Sequence, residues 1–267
     1  MSNFICVTCG VQFGKSSTTP SHCPICTDER QFVRREGQAW TTQYDLQKTH
    51  QNVIKHHEPH LYGIYTVPSF AIGQQALLIQ SEHGNVLWDC ISLIDDQTVE
   101  RVNQLGGVGK IALSHPHFYA SAVEWGERFD ATIHMHQADA EWIMRPSPRI
   151  QFWQGEKFAL HPDITLIHAG GHFVGSAVCH WAAGADHQGA LLTGDTIHVV
   201  ADRRWVTFMR SYPNVIPLSA AKVNEIFKAV APYAFDCLYG AWDGYVVSTD
   251  AKDAVERSAK RYIQALE

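Results

Sequence analysis

From residue 74 onward, short apolar runs alternate with amphipathic ones and turn residues separate them. "QQALLIQ" (74–80) and "GNVLWDC" (84–90) flank the polar "SEHGN", which predicts two strands joined by a turn. "LIDDQTVERVNQL" (93–105) reads as a helix that stops at Gly106 and Gly107. Strand "KIALS", helix "FYASAVEWGERF", strand "ATIHMH" and helix "ADAEWIM" follow. Strands near "DITLIHA", "AVCHWAA" and "GALLTG" come next, then helix "SAAKVNEIFKAVA", strand "FDCLYG" and helix "TDAKDAVERSAKRYIQAL". Strands and helices alternate in both halves, and the strands are too apolar to have a wet face. The expected class is α/β, with sheet layers covered by helices.

With 267 residues, 45% of them hydrophobic and 18% charged, the chain can bury one medium core and carry a small appendage. Composition turns polar around "RREGQAWTTQYDLQKTHQNVIKHHEPH" before the apolar runs begin, so the boundary is expected near residue 40: a small segment over 1–40 and the α/β body over 41–267. His56, His57 and His60 lie in this polar stretch and are read as solvated. The net charge of −6 counts against nucleic acid and anionic membranes as partners. No run approaches the roughly 20 apolar residues of a membrane span. The start "MSNFICVTCG" lacks the order of a signal peptide, so a cytoplasmic protein is expected. There is no internal repeat.

Cysteine usage sharpens the picture of the first segment. Of seven cysteines, Cys90, Cys179 and Cys237 stand singly in apolar runs and read as buried thiols. Cys6, Cys9, Cys23 and Cys26 form two C-x-x-C pairs with thirteen residues between them. Four soft thiolates suit tetrahedral zinc, and a segment of this size has too little core to fold without such a clamp. Gly10 and Pro24 suit tight knuckles around the sulfurs. The segment resembles a zinc ribbon, which implies a structural zinc held by the four cysteines; rubredoxin-type iron sites have similar knuckles but pairs much farther apart.

Histidines supply the second candidate centre. In an extended backbone residues i and i+2 project to one side, so His115 and His117 in "SHPHFYAS" can face one ion, and Pro116 holds His115 extended. His172 sits in the glycine-rich "HAGGHFVGS", and Asp195 ends the apolar run "ALLTGDT", where a carboxylate needs a cation, water or a hydrogen-bond partner. A rival pair, His134 and His136 in "IHMHQAD", reads as ordinary strand histidines. His198 is placed at the site rim. Arg203 and Arg204 in "ADRRW" can meet an anionic substrate or, more commonly for such a pair, surface carboxylates. Trp205 and Trp242 are read as core or pocket wall.

Together these residues resemble the metallo-β-lactamase-fold hydrolases, marked by H-x-H-x-D-H after a strand, then a G-H-x-x-G-S loop, then a strand ending in G-D. Order and intervals agree over most of residues 60–267: 57 residues from His115 to His172 and 23 more to Asp195. The resemblance implies a four-layer αββα sandwich with a metal site at one edge of two facing sheets, held by His115, His117, His172 and Asp195. It matches the family's early strand-end aspartate to Asp89, expected to orient a ligand imidazole. Two departures stand out. Tyr119 and Ala120 replace the motif's D-H, and Ala241, Trp242 and Asp243 stand where a last histidine is usual. One active-site metal is therefore expected instead of two.

Three imidazoles leave a position for water, which a bound zinc ionises near pH 7 instead of about 16. The reading is a metal-dependent hydrolase that turns a single metal-bound water on a small-molecule ester, thioester, lactone, amide or phosphoester. Asp195 serves as ligand or base, and Tyr119, with an ordinary pKa near 10, as a donor to a developing oxyanion. Zinc is favoured over iron. The alternatives are a mononuclear Fe(II) dioxygenase acting on a sulfur compound and a catalytically degenerate binding module.

Overall fold

Four cysteines organise the N-terminal segment. β1 (Ser2–Cys6), β2 (Gln12–Ser16) and β3 (Trp40–Thr41) pair antiparallel in the order β2-β1-β3, with Cys6 opposite Trp40. α1 (Pro24–Thr27) begins at Cys23 with Pro24 in its first turn, where the missing N–H costs nothing. After β3, α2 (Gln43–Leu46) is capped by Thr42, whose side chain accepts the Asp45 N–H.

The computed structural model describes residues 1–267, which divide into two units: Met1–Met135 with Ala140–Phe152, and His136–Asp139 with Trp153–Glu267. The larger sheet of the first has seven strands: β4 (Gln51–Glu58), β5 (Leu61–Val67), β6 (Gln75–Ile79), β7 (Val86–Trp88), β8 (Lys110–Ala112), β9 (Thr132–His136) and β10 (Ile150–Trp153). They lie in the order β10-β9-β8-β7-β6-β5-β4. α3 (Asp96–Gln104) links β7 to β8 and α4 (Ala122–Phe129) links β8 to β9, so β7, β8 and β9 run parallel. β6 and β7 are buried throughout, as their unbroken apolar runs require. α3 is capped by Asp95, which accepts the Thr98 N–H at 2.7 Å, and ends at Gly106 and Gly107, both at positive φ.

Three local expectations are corrected. The polar stretch holds a long strand: β4 is a sheet edge with charged and polar side chains, which hides its strand character. His56 and His60 are exposed, as expected, although the His56 ring also packs against Tyr62; His57 is half-buried and its Nε2 bonds Gln75 Oε1 at 3.1 Å. The helix expected from Phe118 starts only at Ala122, because Pro116–Phe118 form a 3₁₀ turn and Ala120 sits at φ 40°. "ADAEWIM" is a 3₁₀ segment, Gln137–Trp142, broken at Asp139, whose carboxylate accepts the Gly175 N–H at 2.7 Å.

The second unit starts with an antiparallel meander of β11 (Lys157–His161), β12 (Ile164–His168), β13 (Ala177–Trp181) and β14 (Ala190–Leu192), with the short α5 (Gly184–His187) before β14. Two ribbons follow, β15 (His198–Val199) with β16 (Val206–Thr207) and β17 (Met209–Ser211) with β18 (Ile216–Pro217). α6 (Ala220–Val230) then leads to β19 (Cys237–Tyr239), which runs parallel to β14; β20 (Val246–Val247) and α7 (Ala251–Gln264) complete the unit. Its main sheet thus has six strands in the order β11-β12-β13-β14-β19-β20. Val223, Ile226, Leu238, Phe208 and Val255 form its core. No helix of the chain is long and apolar enough to cross a membrane.

Candidate metal centre

In the ribbon, Cys6, Cys9, Cys23 and Cys26 bring their sulfurs within 4.8 Å of one another, all buried. Cys6 to Cys26 and Cys9 to Cys23 are each 3.6 Å. Four sulfurs at about 2.3 Å from one tetrahedral zinc lie about 3.8 Å apart, so the set fits that ion. Burial pushes the Cys9 thiol well up, while S–H groups of Cys23, Cys26 and Cys9 pointing at Cys6 pull that thiol down. Four buried thiolates need a cation to coexist.

The ends of β7, β8 and β14 and the loop between β12 and β13 carry the other candidates. β7 runs into Asp89, which is buried and held at φ 59°. Its N–H donates to the Ala112 carbonyl at 2.8 Å and its Oδ1 accepts the Ser114 N–H at 2.7 Å, so Asp89 pins the backbone immediately before His115. His115 is extended (φ −169°, ψ 173°), as Pro116 demands. The chain does not stay extended through His117, however, because a 3₁₀ turn begins at Pro116. Within that turn the His117 N–H donates to His115 Nδ1 at 3.4 Å, and the two ring centres lie 5.4 Å apart. Both rings are buried.

His172 is fully buried in a loop that glycine makes possible. Gly170 and Gly171 adopt φ 63° and 83°, and a Cβ on Gly175 would lie 2.7 Å from Asp139 Cγ. The Ser176 carbonyl accepts the N–H groups of Ala169 and Gly170, and Ser176 Oγ accepts that of Phe173 at 2.8 Å. His172 Nδ1 donates to the Met209 carbonyl at 3.0 Å, which fixes the tautomer and leaves Nε2 as the electron-pair donor. Nε2 lies 4.0 Å from Asp195 Oδ1. Two ligands about 2.1 Å from one ion are at most about 4.2 Å apart, so this pair fits a shared cation. Ring nitrogens of His115, His117 and His172 lie within 4.8 Å of one another, a second buried group that could hold a metal ion.

Asp195 follows β14 and Gly194 (φ 56°) and is buried. Tyr212, which sequence reasoning missed, donates its hydroxyl to the Asp195 carbonyl at 2.8 Å and sets its ring 4.8 Å from that of His198. Burial, then the Asp195 charge, pushes the Tyr212 phenol well above its ordinary range, so it stays a donor. The His198 ring also meets Trp242 at 5.3 Å and Tyr245 at 5.5 Å. Arg203 lies over Tyr245 at 3.8 Å. Trp205 is overlaid by Arg257 and Arg261.

Tyr119 goes elsewhere. It belongs to the apolar cluster that includes Val11, Ile25, Val123 and Met135 and the ribbon cysteines, and with Ala120 it lines a small cavity beside Val11 and Gln12. The Gln12 N–H donates to the Ala120 carbonyl at 2.9 Å. The two positions that depart from the D-H motif are thus where the ribbon docks on the histidine loop. His134 and His136 are engaged otherwise: His134 Nε2 meets Thr132 Oγ1 at 3.1 Å, and His136 stacks on His168 at 4.0 Å. Neither belongs to the three-histidine group. Asp139 and the Met209 carbonyl, both essential to the His172 loop, carried no sequence signal, since neither lies in a motif.

No protein-family model matches the chain. It is 51% identical over 268 residues to the uncharacterized protein YmaE of Bacillus subtilis (strain 168), covering 100% of this chain and 97% of that protein. Among solved structures it resembles the DIM-1 metallo-β-lactamase exposed to ceftazidime, with TM-score 0.60, 10% identity and coverage of 81% of this chain and 98% of that one. It also resembles the metallo-β-lactamase FIM-1 from Pseudomonas aeruginosa in its mono-zinc form, with TM-score 0.58, 11% identity and coverage of 79% and 95%. The fold is therefore the metallo-β-lactamase fold that the motif order implied, a mixed α/β fold with several sheets.

Proposed function

We propose that this chain, which belongs to the family of the Bacillus subtilis protein YmaE and has the metallo-β-lactamase fold, is a metal-dependent hydrolase of a small molecule with one active-site cation and a structural zinc in the ribbon over residues 1–40. The observation that carries the reading is the grouping of three buried imidazoles, His115, His117 and His172, with His172 Nδ1 tied to a carbonyl so that Nε2 is left to ligate. A divalent cation held there supplies Lewis acidity, polarising a carbonyl or phosphoryl oxygen and acidifying water. Zinc is the ion that three histidines and an open position suit best.

The protein's own groups do the rest. Asp89 and Pro116 set the backbone of the His115 turn, Met209 fixes the His172 tautomer, and Tyr212 holds the Asp195 backbone. Asp195 completes the ligand set or takes the proton from the nucleophile. Replacement of the D-H pair by Tyr119 and Ala120 removes the ligands of a second cation, so we assign one ion to this site and assign Tyr119 to packing under the ribbon.

Elemental analysis of the purified chain, alongside His172→Ala and Asp195→Asn, tests the reading. Two zinc ions per wild-type chain and one in His172→Ala are expected. Asp195→Asn separates its two roles: a lost ion marks a ligand, a retained ion with lost turnover marks a proton acceptor. Chelator-sensitive cleavage of a panel of chromogenic esters, thioesters and lactones is expected of the wild type. Three ions per chain would overturn the single-ion assignment, and iron with oxygen uptake and no hydrolysis would overturn the hydrolase.

A further inference from the structure

The adjacent Arg203 and Arg204 have opposite fates. Arg204 is exposed and spent on Asp202, with Nε to Oδ1 and Nη2 to Oδ2 both at 2.9 Å. Arg203 is half-buried and faces no carboxylate. One of its N–H groups donates to the Val200 carbonyl at 2.6 Å, and its guanidinium plane lies over the Tyr245 ring at 3.8 Å. A guanidinium carries five N–H donors in a rigid fork, so stacking and a single bond to a carbonyl leave most of that fork open while fixing its direction.

This cation joins an aromatic group that reaches the Asp195 backbone through Tyr212. His198, three residues beyond Asp195, packs against Tyr212, Trp242 and Tyr245, and Tyr245 is the ring that Arg203 covers. His198 feels both charges: burial lowers its pKa, Asp195 opposes that and Arg203 adds to it. An ordered cation without a counter-charge, in a chain of net charge −6, is held in place by the aromatic wall and not by an ion pair.

We propose that Arg203 is an anion subsite: the substrate carries a carboxylate or phosphate group that the guanidinium fork binds two-handed, with the rest of the molecule lying along the rings of His198, Tyr212 and Trp242. This rests on the hydrolase reading for the meaning of "substrate", but the subsite is testable without turnover. Its assigned role is specificity, since it holds the anionic group and not the reacting atoms.

The test titrates inorganic phosphate, and separately benzoate, into the full-length protein and follows tryptophan fluorescence and heat. Wild type, Arg203→Met, Arg203→Lys and Arg204→Met are compared, each with and without prior chelation of the histidine-site metal. Saturable binding of at least one anion is expected, weakened 10-fold or more in Arg203→Met, partly rescued in Arg203→Lys and unchanged within 2-fold in Arg204→Met, at equal Tm and metal content. Stronger binding of phosphate or of benzoate identifies the group. Equal affinity in wild type and Arg203→Met, binding that vanishes wholly with the metal, or no saturable binding of either anion overturns the subsite. Failure of the hydrolase reading is seen separately, in the metal count and the ester panel.

Discussion

Gly171 offers the sharpest check on how the tertiary structure holds His172. It stands at φ 83°, and a Cβ there would lie 2.6 Å from Ile226 Cδ1 and 3.2 Å from Leu218 Cδ1. Gly155 adopts nearly the same backbone, φ 85°, yet a Cβ on it would meet nothing within 4 Å. Both Gly→Ala changes share the cost of a left-handed backbone, ~1–2 kcal/mol, and the same small gain from a stiffer unfolded chain. Gly171→Ala adds overpacking against Ile226, a core residue of α6, at about 1–3 kcal/mol. At about 2–4 °C per kcal/mol for a chain of this size, Gly155→Ala is expected to lower Tm by a few degrees and Gly171→Ala by on the order of 10 °C. The added strain is relieved by moving the loop off α6, which carries His172 with it. Gly171→Ala is therefore also expected to retain less histidine-site metal during dialysis, whereas Gly155→Ala keeps it. Thermal scans and elemental analysis read both effects. Equal Tm losses in the two variants would refute the packing argument, and a destabilised Gly171→Ala with full metal retention would refute the link to His172.

The ribbon and the histidine loop are expected to fail together. Cys9→Ser with Cys23→Ser should abolish the ribbon zinc and, because Gln12 and Val11 hold Ala120 and Tyr119, also weaken retention of the second ion under limiting metal; loss of one ion only would separate the two sites. Tyr119→Phe keeps the buried ring and should leave turnover within about 2-fold while lowering Tm slightly, as expected of a polar handle on a core ring; a 100-fold loss of turnover would return Tyr119 to the chemistry. Acid should destabilise the fold. Burial, aided by His168, lowers the His136 pKa, and burial lowers that of His180, so the native state binds fewer protons than the unfolded one. Their stabilisation is complete above the ordinary histidine value near 6.5 and is lost as pH falls through the lowered native values. Tm should drop between pH 7.5 and 5.5, with a shallower slope in His136→Gln; an unchanged slope would remove His136 from the account.

Much of the fold was legible because burial leaves a one-dimensional trace. The largely apolar runs of β6, β7 and β14 mark strands covered on both faces, Asp95 and Ser219 mark helix starts by side-chain caps, and the Gly106-Gly107 pair marks a helix end by its positive φ. β4 was not legible, since an edge strand with polar side chains looks like a loop. The helix expected from Phe118 was overextended for a related reason: helical composition does not reveal that Ala120 is drawn to φ 40°, with its carbonyl bonded to the ribbon's Gln12.

The same division runs through the candidate site. Which residue types carry the chemistry, two cysteine pairs and three spaced histidines with an aspartate, is written in the chain, because a metal ligand must be a particular side chain. What orients them is not. The Met209 carbonyl that fixes His172 is a backbone group every residue possesses, and the Asp139 carboxylate that holds Gly175 lies in no motif. Arg203 and Arg204 are identical letters side by side, and only their surroundings, Tyr245 for one and Asp202 for the other, decide which is open. Sequence alone determined the elements and the ligand types, since these depend on side-chain identity and local spacing; tertiary structure decided tautomer, docking and charge pairing, since these depend on groups that meet only after the chain has folded.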